Sequence, residues 1–130
     1  MKNIIKLMKV LFLSIIFIIT ASIIAYSCEI DLNVVGDKQN SYKVGDEVII
    51  KVTVLLTHRN CPEGIDKTKF EGKNLDIIGG TKWVEKSAGT YERKLKVKIK
   101  DYGNGKAVLN ATRTCDKEGG FGSISLKVSK

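Results

Sequence analysis

Tyr91 to Lys100 narrows the fold more than any other segment, because Leu95, Val97 and Ile99 alternate without a slip with Lys94, Lys96, Lys98 and Lys100. Successive side chains of a strand point to opposite faces, so this segment buries one face and wets the other, and a helix of 3.6 residues per turn does not reproduce the pattern. The same period returns in Ile30, Leu32 and Val34 against Glu29, Asp31 and Asn33. It returns again in Val48, Ile50, Val52, Val54 and Leu56, which share one face of a long strand expected to be central. Shorter strands are expected at 74–78 and at 81–86, the latter holding the only tryptophan, Trp83, and the last two at 106–115 and 121–129. Gly36-Asp37, Gly45-Asp46, Gly79-Gly80, Ser87-Ala88-Gly89 and Asp101 to Gly105 punctuate these runs with residues suited to tight turns. No repeat, low-complexity segment or amphipathic helix interrupts the strand pattern.

Ahead of the strands stands a different kind of segment. Lys2, Lys6 and Lys9 lead into an apolar run from Val10 to Ala25 that closes on Ala25-Tyr26-Ser27-Cys28. Positive charge, a short apolar stretch and small residues before a junction form the pattern of an export signal over 1–27. The junction admits three readings, of which lipidation of Cys28 as in a lipoprotein is the leading expectation, ahead of cleavage after Ser27 to release a secreted domain and of an uncleaved anchor, since the run nears the shortest length that spans a bilayer. The lipoprotein pattern is met only in part, because Ala25 stands where Leu is usual and Tyr26 where a small residue is usual. Glu29 already begins a strand, so a lipid on Cys28 would hold the domain hard against its membrane.

The remaining 28–130 is long enough for a single domain with one core and short enough to gain from a covalent staple. The first 27 residues hold three of the 22 basic residues, which leaves 19 Lys and Arg against 14 Asp and Glu and a net charge near +5. This mild excess is spread along strands with no aromatic-rich basic motif, which excludes a dedicated nucleic-acid reader as an expectation and leaves attraction to anionic envelope polymers open. No cofactor motif is present, and no cofactor is expected.

About seven short antiparallel strands in a hundred residues resemble an immunoglobulin-like or fibronectin-like β-sandwich of the kind exported by bacteria, with a small closed barrel as the rival architecture. The resemblance rests on strand count and patterning over the whole of 28–130 and implies an all-β fold without naming a family. In such a sandwich the loop after the second strand and the loop before the last lie at one end. The first carries His58, Arg59, Asn60, Cys61 and Glu63, and the second Cys115, Lys117 and Glu118, with Phe121 following. Cys61 and Cys115 thereby become expected neighbours across 54 positions, and a disulfide between them in an oxidising compartment would contribute about 4 kcal/mol through the unfolded chain.

The alternative use of the same residues is a metal or redox site of His58, Cys61 and Cys115, since imidazole and thiolates suit copper or zinc. His58 is the only histidine and has no second spaced pair, and a disulfide would consume both thiolates. A cysteine nucleophile would need His58 as its base, with no carboxylate singled out to orient it, so no enzyme is expected. Other conspicuous residues have plain structural readings. The lysines at 94, 96, 98 and 100 are expected to form a solvated face that discourages edge pairing, and Trp83 to lie in the core. Gly119-Gly120-Phe121-Gly122 lacks the strand-to-helix setting of a phosphate loop and reads as a turn followed by an aromatic.

The sequence therefore leads to an expectation of a non-catalytic, exported envelope or surface module that recognises a protein or glycan partner, with membrane attachment through the signal segment or a lipid. Arg59, Asn60, Glu63, Lys117, Glu118 and Phe121 are the expected contact residues, because they flank the expected staple and loops carried on a rigid scaffold are where recognition concentrates.

Overall fold

The structure is a computed structural model that describes residues 1–20, 28–56, 64–114 and 119–130, with the helix residues 17–20 described by their backbone alone. Among the described residues a helix, α1 (Lys2–Thr20), precedes nine strands: β1 (Cys28–Val34), β2 (Tyr42–Lys43), β3 (Glu47–Leu56), β4 (Lys69–Lys73), β5 (Leu75–Gly80), β6 (Val84–Ser87), β7 (Thr90–Ile99), β8 (Lys106–Arg113) and β9 (Gly120–Ser129). A 3-10 helix at Ile65–Lys67 leads into β4. The fold is all-β with antiparallel sheets. One sheet runs β1-β3-β7-β5 with β6 also on β7, the other runs β2-β9-β8-β4, and only the short β2 lies parallel to its neighbour.

The period-two stripes become the core. Val48, Ile50, Val52 and Val54 of β3 face Leu95, Val97 and Ile99 of β7 within one sheet and meet Ala107, Leu109 and Ala111 of β8 with Leu126 and Val128 of β9 from the other. All are buried, and a fully buried aliphatic side chain of this size contributes about 1.5–3 kcal/mol relative to exposure. On the outer face the lysines of β7 stand exposed, as the sequence predicts. β7 is nevertheless an interior strand, between β3 and β5, so its lysines protect no sheet edge. Lys96 Nζ meets Glu47 at 2.9 Å, and that hydrogen bond, with the positive charge behind it, holds the Glu47 carboxyl below the usual carboxylate range. The pair is exposed and therefore adds little to stability.

Two devices join the sheets. At β4 to β5 the chain leaves one sheet for the other through a single residue, Asn74, in the left-handed region at φ 60°. Asn is one of the few side chains that tolerates this conformation, and here its Nδ2 donates to the Lys106 carbonyl at 2.9 Å while its own carbonyl accepts from Lys100 N at 2.9 Å. On the opposite edge β1 lies against β9, and the approach is close because Gly120 and Gly122 face inward there. A Cβ at Gly122 would stand 2.7 Å from the Ile30 carbonyl oxygen, and one at Gly120 would stand 2.8 Å from the Cys28 carbonyl oxygen.

Several boundaries differ from those read in the sequence. β4 and β2 have no visible period: Phe70 is the one large apolar residue of Lys-Phe-Glu-Gly-Lys, and β2 is two residues long. Gly79-Gly80 does not break the chain. β5 runs through both glycines with a register shift between Ile77 and Gly79, and the interruption falls at 81–83. Trp83 accordingly lies between β5 and β6, half-buried against the edge of the core, where the sequence places it in a strand and in the core proper. β8 ends at Arg113, two residues early, and β9 begins at Gly120, inside the stretch expected to be a turn.

Candidate recognition end and the cavity beside it

The residues that bracket the two expected contact loops converge on one end of the fold. Leu56, the last residue of β3, is paired with Cys28, and Gly120, packed on Cys28, is paired with Arg113 at the end of β8. Arg113 in turn reaches the chain on the far side of the first loop, its Nη1 donating to the carbonyls of Gly64 and Ile65 at 3.2 Å each and to Thr68 Oγ1 at 2.7 Å. His58, Arg59, Asn60, Cys61, Glu63, Cys115, Lys117 and Glu118 lie outside the described residues, and with them the expected Cys61–Cys115 disulfide and the alternative metal set. Of the expected contact residues only Phe121 is described, and it projects from β9 with 61% of its surface exposed.

Cys28 is buried, 2% exposed, with a free thiol, at the first position of β1. Burial follows from its phase: it shares the inward face with Leu32 and packs against Gly120. No group of three or more His, Cys, Asp or Glu side chains arranged to hold a metal occurs among the described residues.

Two arginines at this end escape a reading by composition or motif. Arg93 extends the inward stripe of β7 (Leu95, Val97, Ile99), and Arg113 extends that of β8 (Ala107, Leu109, Ala111). Each puts a cation where the strand period calls for an apolar side chain, and that mismatch of phase is the sequence signal that would have found them. Arg113 falls within the strand expected at 106–115, is 3% exposed and ties the second sheet to the 3-10 helix. Its long side chain carries one charged nitrogen, Nη1, to two carbonyls and a hydroxyl at once.

Arg93 is held by rings. Its Cζ lies 5.6 Å from the Phe70 ring centre and 5.4 Å from that of Trp83, and the two rings are stacked at 6.3 Å with 23° between their planes. The electron-rich faces stabilise the guanidinium by roughly 0.5–2 kcal/mol each. Beside this cluster opens a cavity of about 550 Å³ lined by Asp66, Thr81, Lys82, Trp83, Tyr91 and Arg93 among others. It opens where the chain departs from β7 between β5, whose pairing ends at Gly80 with Leu95, and β6, whose pairing begins at Val84 with Glu92, so that Arg93 is paired with Val52 of β3 and with neither of them. Asp66 and Ile65 of its wall sit on the 3-10 helix that Arg113 holds, directly after the first contact loop.

Comparison of the chain with family models, curated proteins and solved structures finds no match in any of the three.

Proposed function

We propose that this chain is an exported, non-catalytic recognition domain of immunoglobulin-like build that holds a protein or glycan partner at the cell envelope or surface through the loops at one end. The observation that carries the reading is the convergence of the loop roots, Leu56 and Gly64 of one and Arg113 and Gly120 of the other, around Cys28. The strand orders β1-β3-β7-β5 and β2-β9-β8-β4 support the immunoglobulin-like assignment, since they match the four-strand and three-strand sheets of that architecture with a short extra edge strand. In that architecture loops of one end form a composite binding surface on a rigid frame. Arg59, Asn60, Glu63, Lys117, Glu118 and Phe121 are its contact residues. The test is capture of a crosslinked partner from envelope extracts of the protein's own host: simultaneous alanine replacement of Arg59, Lys117 and Phe121 is expected to abolish it, and unchanged capture overturns the reading.

Export rests on the charged, apolar start of the chain and on the described side chains of α1, whose large apolar residues are exposed, among them Phe12 at 69% and Leu13 at 73%. Among the described residues no helix is long and apolar enough to cross a membrane. The burial of Cys28 supports cleavage after Ser27 over lipidation, because a lipid thioether would require the sulfur to leave the packed end of the fold. Intact mass of protein isolated from its host is expected to show a chain starting at Cys28 with no lipid increment. Alkylation before and after reduction is expected to show Cys61 and Cys115 reactive only after reduction. A diacylglyceryl increment overturns the first expectation, and thiols freed by a chelator instead of a reductant would move Cys61 and Cys115, with His58, to the metal reading.

A further inference from the structure

Half-buried on the inward stripe of β7, Arg93 carries a cost that an aliphatic residue there would not. Burying a cation is unfavourable unless it is paired, and the Nε of Arg93 is buried without a hydrogen-bond partner among the described residues. Among those residues the only ion pair is Lys96 with Glu47, so Asp66, although it lines the same cavity, is not within pairing distance of Arg93. Phe70 and Trp83 offset part of the charge and fix the plane of the guanidinium, yet they leave it facing a cavity in which no carboxylate of the described residues pairs with it. A methionine or leucine would close the stripe of β7 without that cost.

We propose that the cavity beside Arg93 binds a carboxylated sugar unit of an acidic glycan, with the carboxylate on Arg93 and the sugar ring against the Trp83 and Tyr91 side of the wall. This deepens the recognition reading and rests on it. The volume of about 550 Å³ lies within the range of small-ligand sites and accommodates one or two sugar rings. Arginine is the side chain best matched to a carboxylate, through two parallel N–H donors, and the stacking on two rings keeps that fork in one orientation. Around it the wall alternates donors and acceptors: the hydroxyls of Thr81 and Tyr91, the ammonium of Lys82 and the carboxylate of Asp66. That mixture matches the hydroxyls of a sugar ring carrying a single negative charge. A peptide with several acidic residues, or a dianionic phosphate, would bring further negative charge against Asp66 once Arg93 is paired, whereas a single carboxylate on Arg93 leaves none over.

Calorimetry on the full chain tests the site with glucuronate- and galacturonate-containing disaccharides, neutral disaccharides of the same linkages and an acidic tetrapeptide. At least one uronate disaccharide is expected to bind ten-fold or more tightly than its neutral counterpart. R93K, which keeps the charge and loses the fork, and W83L are each expected to weaken that binding ten-fold or more, with thermal melts of R93K close to wild type. The proposal is overturned by equal binding of the neutral sugars, by binding of the peptide alone, by unchanged binding in R93K, or by no uronate binding at all. The triple alanine variant of Arg59, Lys117 and Phe121 separates the two readings. Retained uronate binding in that variant supports the cavity as its own site, whereas loop-dependent capture without any uronate binding removes the cavity and leaves the recognition reading standing.

Discussion

Replacing Gly122 by alanine is expected to lower the unfolding free energy by about 3 kcal/mol, and by valine to abolish the folded domain at 37 °C. The reason is the junction of the two sheets. Gly122 faces inward on β9 where β1 crosses, and an added Cβ would lie 2.7 Å from the Ile30 carbonyl oxygen, 2.7 Å from Leu32 Cδ1 and 2.8 Å from Ile30 Cγ2. The first of these atoms is backbone within the β1–β3 ladder, where Ile30 pairs with Val54, so it does not swing aside as the end of a long side chain would. Relief requires β1 to move off β9, which loosens the packing of Leu32 in the core. Gly64 is the matched control: it has φ −65° and no atom of the described residues within 4 Å of an added Cβ, and Gly64→Ala is expected to leave stability within about 0.5 kcal/mol of wild type. Urea denaturation followed by tryptophan fluorescence reads both. A Gly122→Ala midpoint equal to that of Gly64→Ala would show that the two sheets are not locked at this contact.

The second large effect is expected at Arg113. Its Nη1 serves Gly64 O, Ile65 O and Thr68 Oγ1 from a position 3% exposed, so Arg113→Met removes the donors and leaves acceptors beside a side chain that has nothing to offer them. Loss of a buried, charge-assisted set of this kind costs about 2–4 kcal/mol. Part of that loss has a local signature. The 3-10 helix buries none of its residues, and Arg113 is what fastens it to β8. Amide exchange at Lys67 and Thr68, whose N–H groups donate within that turn, is therefore expected to speed up more than exchange in β3 or β7. Arg113→Lys is expected to recover less than half of the stability, because its shorter stem does not carry the ammonium to the place of Nη1 and the flat guanidinium is lost. Uniform acceleration across all strands, with no excess at 67–68, would mean that Arg113 contributes only to global stability.

The consequence extends to recognition. Ile65 and Asp66 belong both to the segment Arg113 fastens and to the wall of the Arg93 cavity, and the first contact loop ends just before them. One buried arginine thus positions both candidate binding features without touching a ligand in either.

The strands with strong alternation were legible: β1, β3, β7, β8 and β9 all fall where their apolar period predicts, because a half-buried strand cannot hide its phase. β4 was not legible, since Phe70 alone cannot display a period, and β2 is too short to have one. Trp83 was misplaced because composition favours a buried tryptophan, whereas the chain leaves β7 at 81–83 and sets its ring against Phe70 and Arg93 at the rim. The expected contact loops could be named from turn chemistry and topology. The cavity could not, as Asp66, Thr81 with Trp83, and Arg93 belong to three different segments and share no spacing.

Local pattern by itself determined that this chain has a charged, apolar start followed by an all-β domain, which strands are buried on one face, and which residues turn the chain. It did so because alternation and turn propensity are properties of neighbouring residues. Tertiary structure alone decided that β1 locks onto β9 through two glycines, that Asn74 carries the chain between sheets, and that Arg93 and Arg113 end two core stripes at the same mouth. Those outcomes depend on which distant segments approach within a few ångströms, and the cost of an added Cβ or a buried cation is defined only once they do.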